Sequence, residues 1–347
     1  MVNIELLKDL AVMLIASIAL IYSGLIVVKS LVKISYKLRI SEFVLSFILL
    51  AFTTSLPELF IGITSAINKT PGLSLGNIMG ANIMDITFVI GIVCLLGRKF
   101  KIKSKLVGST SIYMVGIASL PIILGLIGGR LSRIDGAILM AIFFLYMARL
   151  IKLRNEYSKL LEKKAQKEVL SENHLSENAG WMRRMYLRIR DELSFNLFLF
   201  LIGMVLVFIS ARFVAWSAVG IASELELPRI LVGMIIVSIG TTLPELVLES
   251  RAVLAKHQEM AFGDALGSVV VNSTFILGLV ALIQPISIDS SVFITGAFFL
   301  IAAVSIISIM LNVKREITWK DGVFLLLFYF IFVIVQLNAK SIFIALQ

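Results

Sequence analysis

The sequence predicts an all-α polytopic membrane protein of ten transmembrane helices, arranged as two inverted five-helix repeats. Three observations carry this expectation. Apolar windows of about 20 residues, each long enough to span a bilayer as a helix, recur along the chain. The sequence repeats itself at a fixed offset. Acidic residues stand inside the repeated apolar segments. Hydrophobic residues make up 59% of the 347 residues, and mean hydropathy is +1.00; a soluble domain is nearer half apolar. The segments are too long and apolar for strands of an outer-membrane barrel.

The spans fall near 7–28, 42–68, 73–96, 106–128, 134–151, 195–217, 228–255, 260–284, 290–312 and 321–346. No small-residue cleavage site follows the first, which reads as a retained helix rather than a signal peptide. Assigning each Lys and Arg to its nearest loop puts 25 of the 32 on one side. By the positive-inside rule, both termini face out of the cell membrane, and loops 29–41 and 149–194 face the cytoplasm. The net charge of +10 therefore reads as loop charge, not as a nucleic-acid partner. Residues 1–151 form the first repeat, 152–194 a cytoplasmic loop and 195–347 the second repeat. In the loop, "WMRRMYLRIRDEL" mixes apolar and basic residues as a short helix on an anionic leaflet would. Cys94 is the only cysteine, so no intrachain disulfide is possible.

Shifted by 187 residues, the halves align without a gap. Thr54, Leu56, Pro57, Glu58 and Leu59 fall on Thr241, Leu243, Pro244, Glu245 and Leu246. Gly76, Gly80, Thr87, Phe88 and Gly91 fall on Gly263, Gly267, Thr274, Phe275 and Gly278. The motifs cover about 51–91 and 238–278. An odd number of spans per half makes the second half enter the membrane from the opposite side, an arrangement common in secondary transporters. "KISYKLRI" at 33–40 aligns with "GIASELEL" at 220–227; the copy expected outside has lost its basic residues.

Glu58 and Glu245 lie midway along their spans. A charge at that depth costs at least about 2.5–3.5 kcal/mol and normally faces a cavity. Pro57 and Pro244 cannot donate to the carbonyls of Thr53 and Gly240, which frees an oxygen beside each carboxylate. Thr54 and Thr241, four residues earlier, lie on the carboxylates' faces. On the next helix Asn77, Ala81 and Asp85 recur every fourth residue, as do Asp264, Ser268 and Asn272. Gly76, Gly80, Gly263 and Gly267 form small-xxx-small pairs that allow close helix approach. Carboxylates, hydroxyls and loose carbonyls are the ligands that hard cations such as Ca²⁺ and Na⁺ prefer. Glu249, one turn from Glu245, and Asp264, one turn from Ser268, either line a cytoplasmic vestibule or, for Glu249, pair with Arg251. His174 and His257 fall in loops, so no soft-ligand cluster is expected.

"TTSLPEL…GNIMGANIMD" and "GTTLPEL…GDALGSVVVN" resemble the two alpha repeats of the cation/calcium exchanger superfamily, most closely its prokaryotic sodium/calcium exchangers. The resemblance implies antiport of Ca²⁺ against Na⁺ by alternating access, with the ions as substrates and no cofactor. It implies that Glu58 and Glu245 coordinate both ions in turn. Thr54, Ser55, Thr241 and Thr242 assist, and Asp85 and Asn272 complete the site. Two departures stand out. The family pattern has the amide in the first repeat and the aspartate in the second; Asp85 and Asn272 are exchanged, which keeps three central carboxylates. Ala81 stands where a serine is usual, while Ser268 is retained, so one hydroxyl ligand is missing. A proton-coupled Ca²⁺ antiporter is the alternative, but that branch usually carries a glutamate on the glycine-rich helix, absent here. An intramembrane enzyme is the remote alternative; no HExxH motif and no intramembrane nucleophile–His pair is present.

Overall fold

The computed structural model describes residues 4–37, 51–101, 105–150, 179–254, 256, 258–288, 290–313 and 316–338. Helix α1 is Ile4–Lys37. Helix α2 comprises Ala51–Thr54 and Leu56–Ile67. Helix α3 is Pro71–Gly97, α4 is Lys105–Gly128 and α5 covers residues 133–150. Helix α6 is Ala179–Glu224, α7 is Arg229–Leu254 and α8 is Gln258–Ile283. Helix α9 is Ser290–Val313 and α10 is Trp319–Leu337. Eight helices among the described residues are long and apolar enough to cross a membrane.

Burial sorts these helices. About four-fifths of the apolar stretches of α3 and α8 are buried (83% and 78%), against 33% for α1 and 28% for α6. The motif helices thus form the centre, while α1 and α6 pack along each other at the edge. Leu14, Ile15, Phe198, Phe213 and Ile331 point outward, as lipid-facing side chains do.

Helices α3 and α7 cross at nearly backbone contact. A methyl group on Gly76 would sit 2.0 Å from the carbonyl oxygen of Ile230, and one on Gly80 2.0 Å from that of Met234. Gly233 faces Leu73 in the same way. Only hydrogen fits, which explains the small-xxx-small spacing of α3.

The 187-residue offset recurs in the backbone. Wide π-type turns occupy Asp85–Val89 in α3 and Val271–Ile276 in α8. The Ile90 amide bonds to the carbonyl of Asp85, and its counterpart Leu277 to that of Asn272. Lys69 and Lys256, also counterparts, both adopt left-handed backbone (φ 57° and 66°) after the first motif helix, a position usually given to glycine.

Two short antiparallel strand pairs tie the halves together. Lys99–Phe100 (β1) pairs with Ile317–Thr318 (β4). Arg130–Leu131 (β2) pairs with Ile286–Ser287 (β3). The offset converts one pair into the other, register included: Lys99↔Thr318 becomes Ile286↔Leu131, and Phe100↔Ile317 becomes Ser287↔Arg130. The next helix begins at an S/T-x-x-D cap in both cases. The Ser132 backbone N–H and hydroxyl donate to Asp135 Oδ2, and those of Thr318 donate to Asp321 Oδ2.

Three expectations differ from the structure. Residues 181–193 do not form a separate helix lying on the leaflet; they continue α6, because neither proline nor glycine interrupts the chain between Trp181 and Ile202. The last helix ends at Leu337, with Asn338 closing it; the remainder of the expected 321–346 span lies outside the described residues. So do residues 42–50, His174, His257, the loop 152–178 and the Arg251 side chain. The two prolines also act differently. In α2 the helix breaks at Ser55 (φ −76°, ψ 5°), whereas Ser238–Leu254 stays helical through Pro244.

Candidate cation site

The four motif helices bring every singled-out side chain into one buried zone. Glu58, Asp85, Glu245, Glu249 and Asp264 are each at most 1% exposed. Thr54, Ser55, Thr241, Thr242, Ser268 and Asn272 are equally enclosed.

Each threonine hydroxyl bonds back along its own helix, to the carbonyl of Ala51 or Ser238 at 3.2 Å, and also reaches across the boundary between halves. The Thr54 hydroxyl lies 3.5 Å from Asp264 Oδ1 and 3.4 Å from Ser268 Oγ. The Thr241 hydroxyl lies 3.2 Å from Asn77 Oδ1 and also reaches the Glu58 carboxyl. Asn77 and Asp264 are counterparts at the 187 offset, so the two contacts are one interaction made twice. Asn82 and Ser273, which the sequence reading passed over, form a further link. Asn272 Nδ2 donates to Asn82 Oδ1 at 2.9 Å, and Asn82 Nδ2 to Ser273 Oγ at 3.0 Å. This chain engages the amide nitrogen of Asn272 and leaves its oxygen unpartnered. Asn82 lies beside the Asn77–Ala81–Asp85 line; its only sequence signal is a second amide in a buried helix.

Oxygen atoms without partners define the zone. They include Ser55 Oγ, Glu58 Oε2, Asp85 Oδ1, Thr242 Oγ1, Glu245 Oε2 and Asn272 Oδ1. Leaving a buried polar atom unpaired costs about 1–3 kcal/mol, more when charged. The six come from both halves, and carboxylate, hydroxyl and amide oxygens are of the kind that hard cations take. No Lys or Arg side chain is buried among the described residues. Among the described residues, no three Asp, Glu, His or Cys side chains converge closely enough to hold a metal ion on their own.

Comparison with known proteins agrees. The model of the sodium/calcium exchanger protein family matches residues 8–152 and 195–338. The chain is 26% identical over 331 residues to sodium/calcium exchanger MaX1 of Methanosarcina acetivorans, covering 89% of this chain and 92% of that one. It is 27% identical over 277 residues to inner membrane protein YrbG of Escherichia coli, covering 79% of each. It is 24% identical over 327 residues to putative antiporter CaxA of Alkalimonas amylolytica, covering 90% and 94%. Among solved structures, the sodium-calcium exchanger NCX_Mj soaked with 10 mM Na⁺ and zero Ca²⁺ superposes with a TM-score of 0.64 at 21% identity, over 94% of this chain and 98% of that one. Family and fold are those of transporters, not enzymes. With both halves matched, the chain belongs to the sodium/calcium exchanger protein family.

Proposed function

We propose that this chain is a secondary antiporter that exchanges Ca²⁺ for Na⁺ across the cell membrane by alternating access. Its ten spans form two inverted five-helix repeats, 1–151 and 195–347, with both termini outside and the 152–194 loop inside. One observation carries the reading: oxygens of Glu58, Asp85, Glu245, Asn272, Ser55 and Thr242, contributed by the duplicated helices of both halves, are buried and unpartnered. The exchanged strand pairs and the reciprocal threonine contacts support the inverted arrangement.

Mechanistically, Glu58 and Glu245 supply matched charges from the two halves, and Asp85 adds a third. Ca²⁺ takes six to eight oxygens and tolerates irregular geometry, which suits a mixed set. Thr54, Thr241 and Ser268 supply hydroxyls, and the Asn82–Ser273 chain holds the Asn272 oxygen free. Na⁺ and Ca²⁺ compete for the same oxygens, so one leaves when the other arrives. MaX1 and NCX_Mj are named as sodium/calcium exchangers, which supports Na⁺ as the coupling ion.

The test is Ca²⁺ uptake into proteoliposomes driven separately by an outward Na⁺ gradient and by a pH gradient. Uptake driven by Na⁺ alone supports the proposal. Uptake driven only by the pH gradient replaces it with proton coupling. Uptake driven by neither refutes Ca²⁺ antiport.

A further inference from the structure

The two halves are not equally acidic beyond the central set. At the 187 offset, Glu249 corresponds to Gly62 and Asp264 to Asn77. The first half has no room for a carboxylate at its copy. A methyl group on Gly62 would already lie 2.9 Å from Val280 Cγ2 and 3.1 Å from Ser74 Oγ. The second half keeps Glu249 there, 1% exposed, with neither carboxylate oxygen partnered. Asp264 is fully enclosed; its Oδ1 meets Thr54 and its Oδ2 has no partner. The helical segments that carry them, Ser238–Leu254 and Gln258–Val270, pack against each other.

We infer that Glu249 and Asp264 form a second station for a hard cation, Ca²⁺ or Na⁺, next to the central site. This rests on the reading of the central set as an ion site and adds a binding position to it. Glu249 lies one helical turn from Glu245, and Asp264 one turn from Ser268, so the station is displaced from the central layer by about 6 Å. Both shifts point toward the Leu254–Gln258 connection between α7 and α8. The Thr54 hydroxyl, between Asp264 Oδ1 and Ser268 Oγ, links the two layers.

A structural role does not account for these groups. The counterpart amide Asn77 is satisfied at its oxygen by Thr241, and Gly62 needs nothing. Carboxylates without partners in a membrane interior are retained where they meet an ion. Three unpaired carboxylate oxygens, with a hydroxyl alongside, are ligands of the hard class. On the first-half side the equivalent positions are neutral. The ion path is thereby polarised, with a negative station on one flank only.

The experiment is equilibrium dialysis of the purified full chain in detergent against ⁴⁵Ca²⁺ and, separately, ²²Na⁺. The variants are Glu249→Gln, Asp264→Asn, their combination, and Glu58→Gln for the central site. Asp264→Asn installs the amide that the first half already carries at position 77, which keeps one variant safe for folding. The expected result is that the combined variant loses one bound ion per chain in at least one arm. The arm affected identifies the occupant. Each single variant weakens the same ion at least tenfold, while the ions sensitive to Glu58→Gln remain. Unchanged stoichiometry and half-saturation in both arms overturn the station. Unchanged binding in Glu58→Gln refutes the central site instead, so the two failures are distinct.

Discussion

The two halves share wide turns, left-handed residues and strand pairs, yet they differ along the second motif helix. The first half offers Asn77, Ala81 and Asp85 along α3; the second offers Asp264, Ser268 and Asn272 along α8. Glu58 and Glu245 alone match in charge. The matched elements are those that geometry demands: the wide turns, the left-handed Lys69 and Lys256, and the strand pairs. The unmatched ones are side chains that meet no backbone constraint. Duplication thus supplies the frame, while the side chains along the second motif helix have diverged.

The largest effect comes from the matched pair. Glu58→Gln and Glu245→Gln each lower exchange at least about 100-fold, equivalent to about 2.7 kcal/mol, with expression and monodispersity retained. Near-normal exchange in either variant would mean that the halves do not act as equals.

The exchanged pair tests whether the position of the third charge matters. Asp85→Asn lowers Ca²⁺ exchange about tenfold or more, as expected for loss of a charge-assisted contact of about 1.5–3 kcal/mol. Adding Asn272→Asp restores the charge count and recovers part of the rate in vesicle assays. No recovery would show that Asn82, which engages the amide of Asn272, fixes the polarity of the site.

Ala81 against Ser268 is a subtler difference. Ala81 is fully buried and adds no side-chain oxygen, whereas Ser268 contacts Thr54. Ala81→Ser lowers the half-saturating Na⁺ concentration about two- to tenfold, the range of one net hydrogen-bond-scale contact, or raises the Hill coefficient. Constancy of both would mean that water already fills the position or that Na⁺ is not the coupling ion.

The smallest effect lies in the straps. Glu316, one-third exposed, joins Lys99 at 2.7 Å and Lys101 at 3.2 Å beside β1·β4. At the 187 offset its counterpart is Gly129, so the β2·β3 strap has no acid there. Hydrogen bonds from Lys99 and Lys101 hold the Glu316 carboxyl below the usual glutamate range. Its stabilising contribution is therefore complete above that range and disappears as pH falls through the lowered value. Glu316→Gln lowers the melting temperature slightly near neutral pH, and the difference from the parent chain vanishes in acid. A difference that persists in strong acid would assign the effect to packing.

How much of this was legible in the sequence follows from what each feature depends on. Glu58, Asp85 and Glu245 stand out because a carboxylate in an apolar run has few explanations. The glycine spacing on α3 anticipates a close crossing, and Gly76 and Gly80 meet the backbone of α7. The partners of Thr54 and Thr241 were not legible. Helical spacing sets which residues share a face, but the hydroxyls also bond to the opposite half, and that depends on how α2 and α3 cross α7 and α8. Pro57 and Pro244 share the same Leu-Pro-Glu-Leu run, yet only the first breaks its helix; α7 has a wide turn at Gly233–Val237 ahead of its proline. The run from Trp181 was read by composition as a surface helix, although continuity with the following span is set by the absence of a breaker.

The straps also set a clock. Lys99 is synthesised about 220 residues before its partner Thr318, a gap of roughly 10–45 s at ~5–20 residues per second. During that interval α3 is already in the bilayer without α7 against Gly76 and Gly80, and Glu58 and Asp85 lack the opposite half of their site. The nascent first half must shelter these groups against water, lipid or a waiting neighbour until the second half arrives to close both pairs.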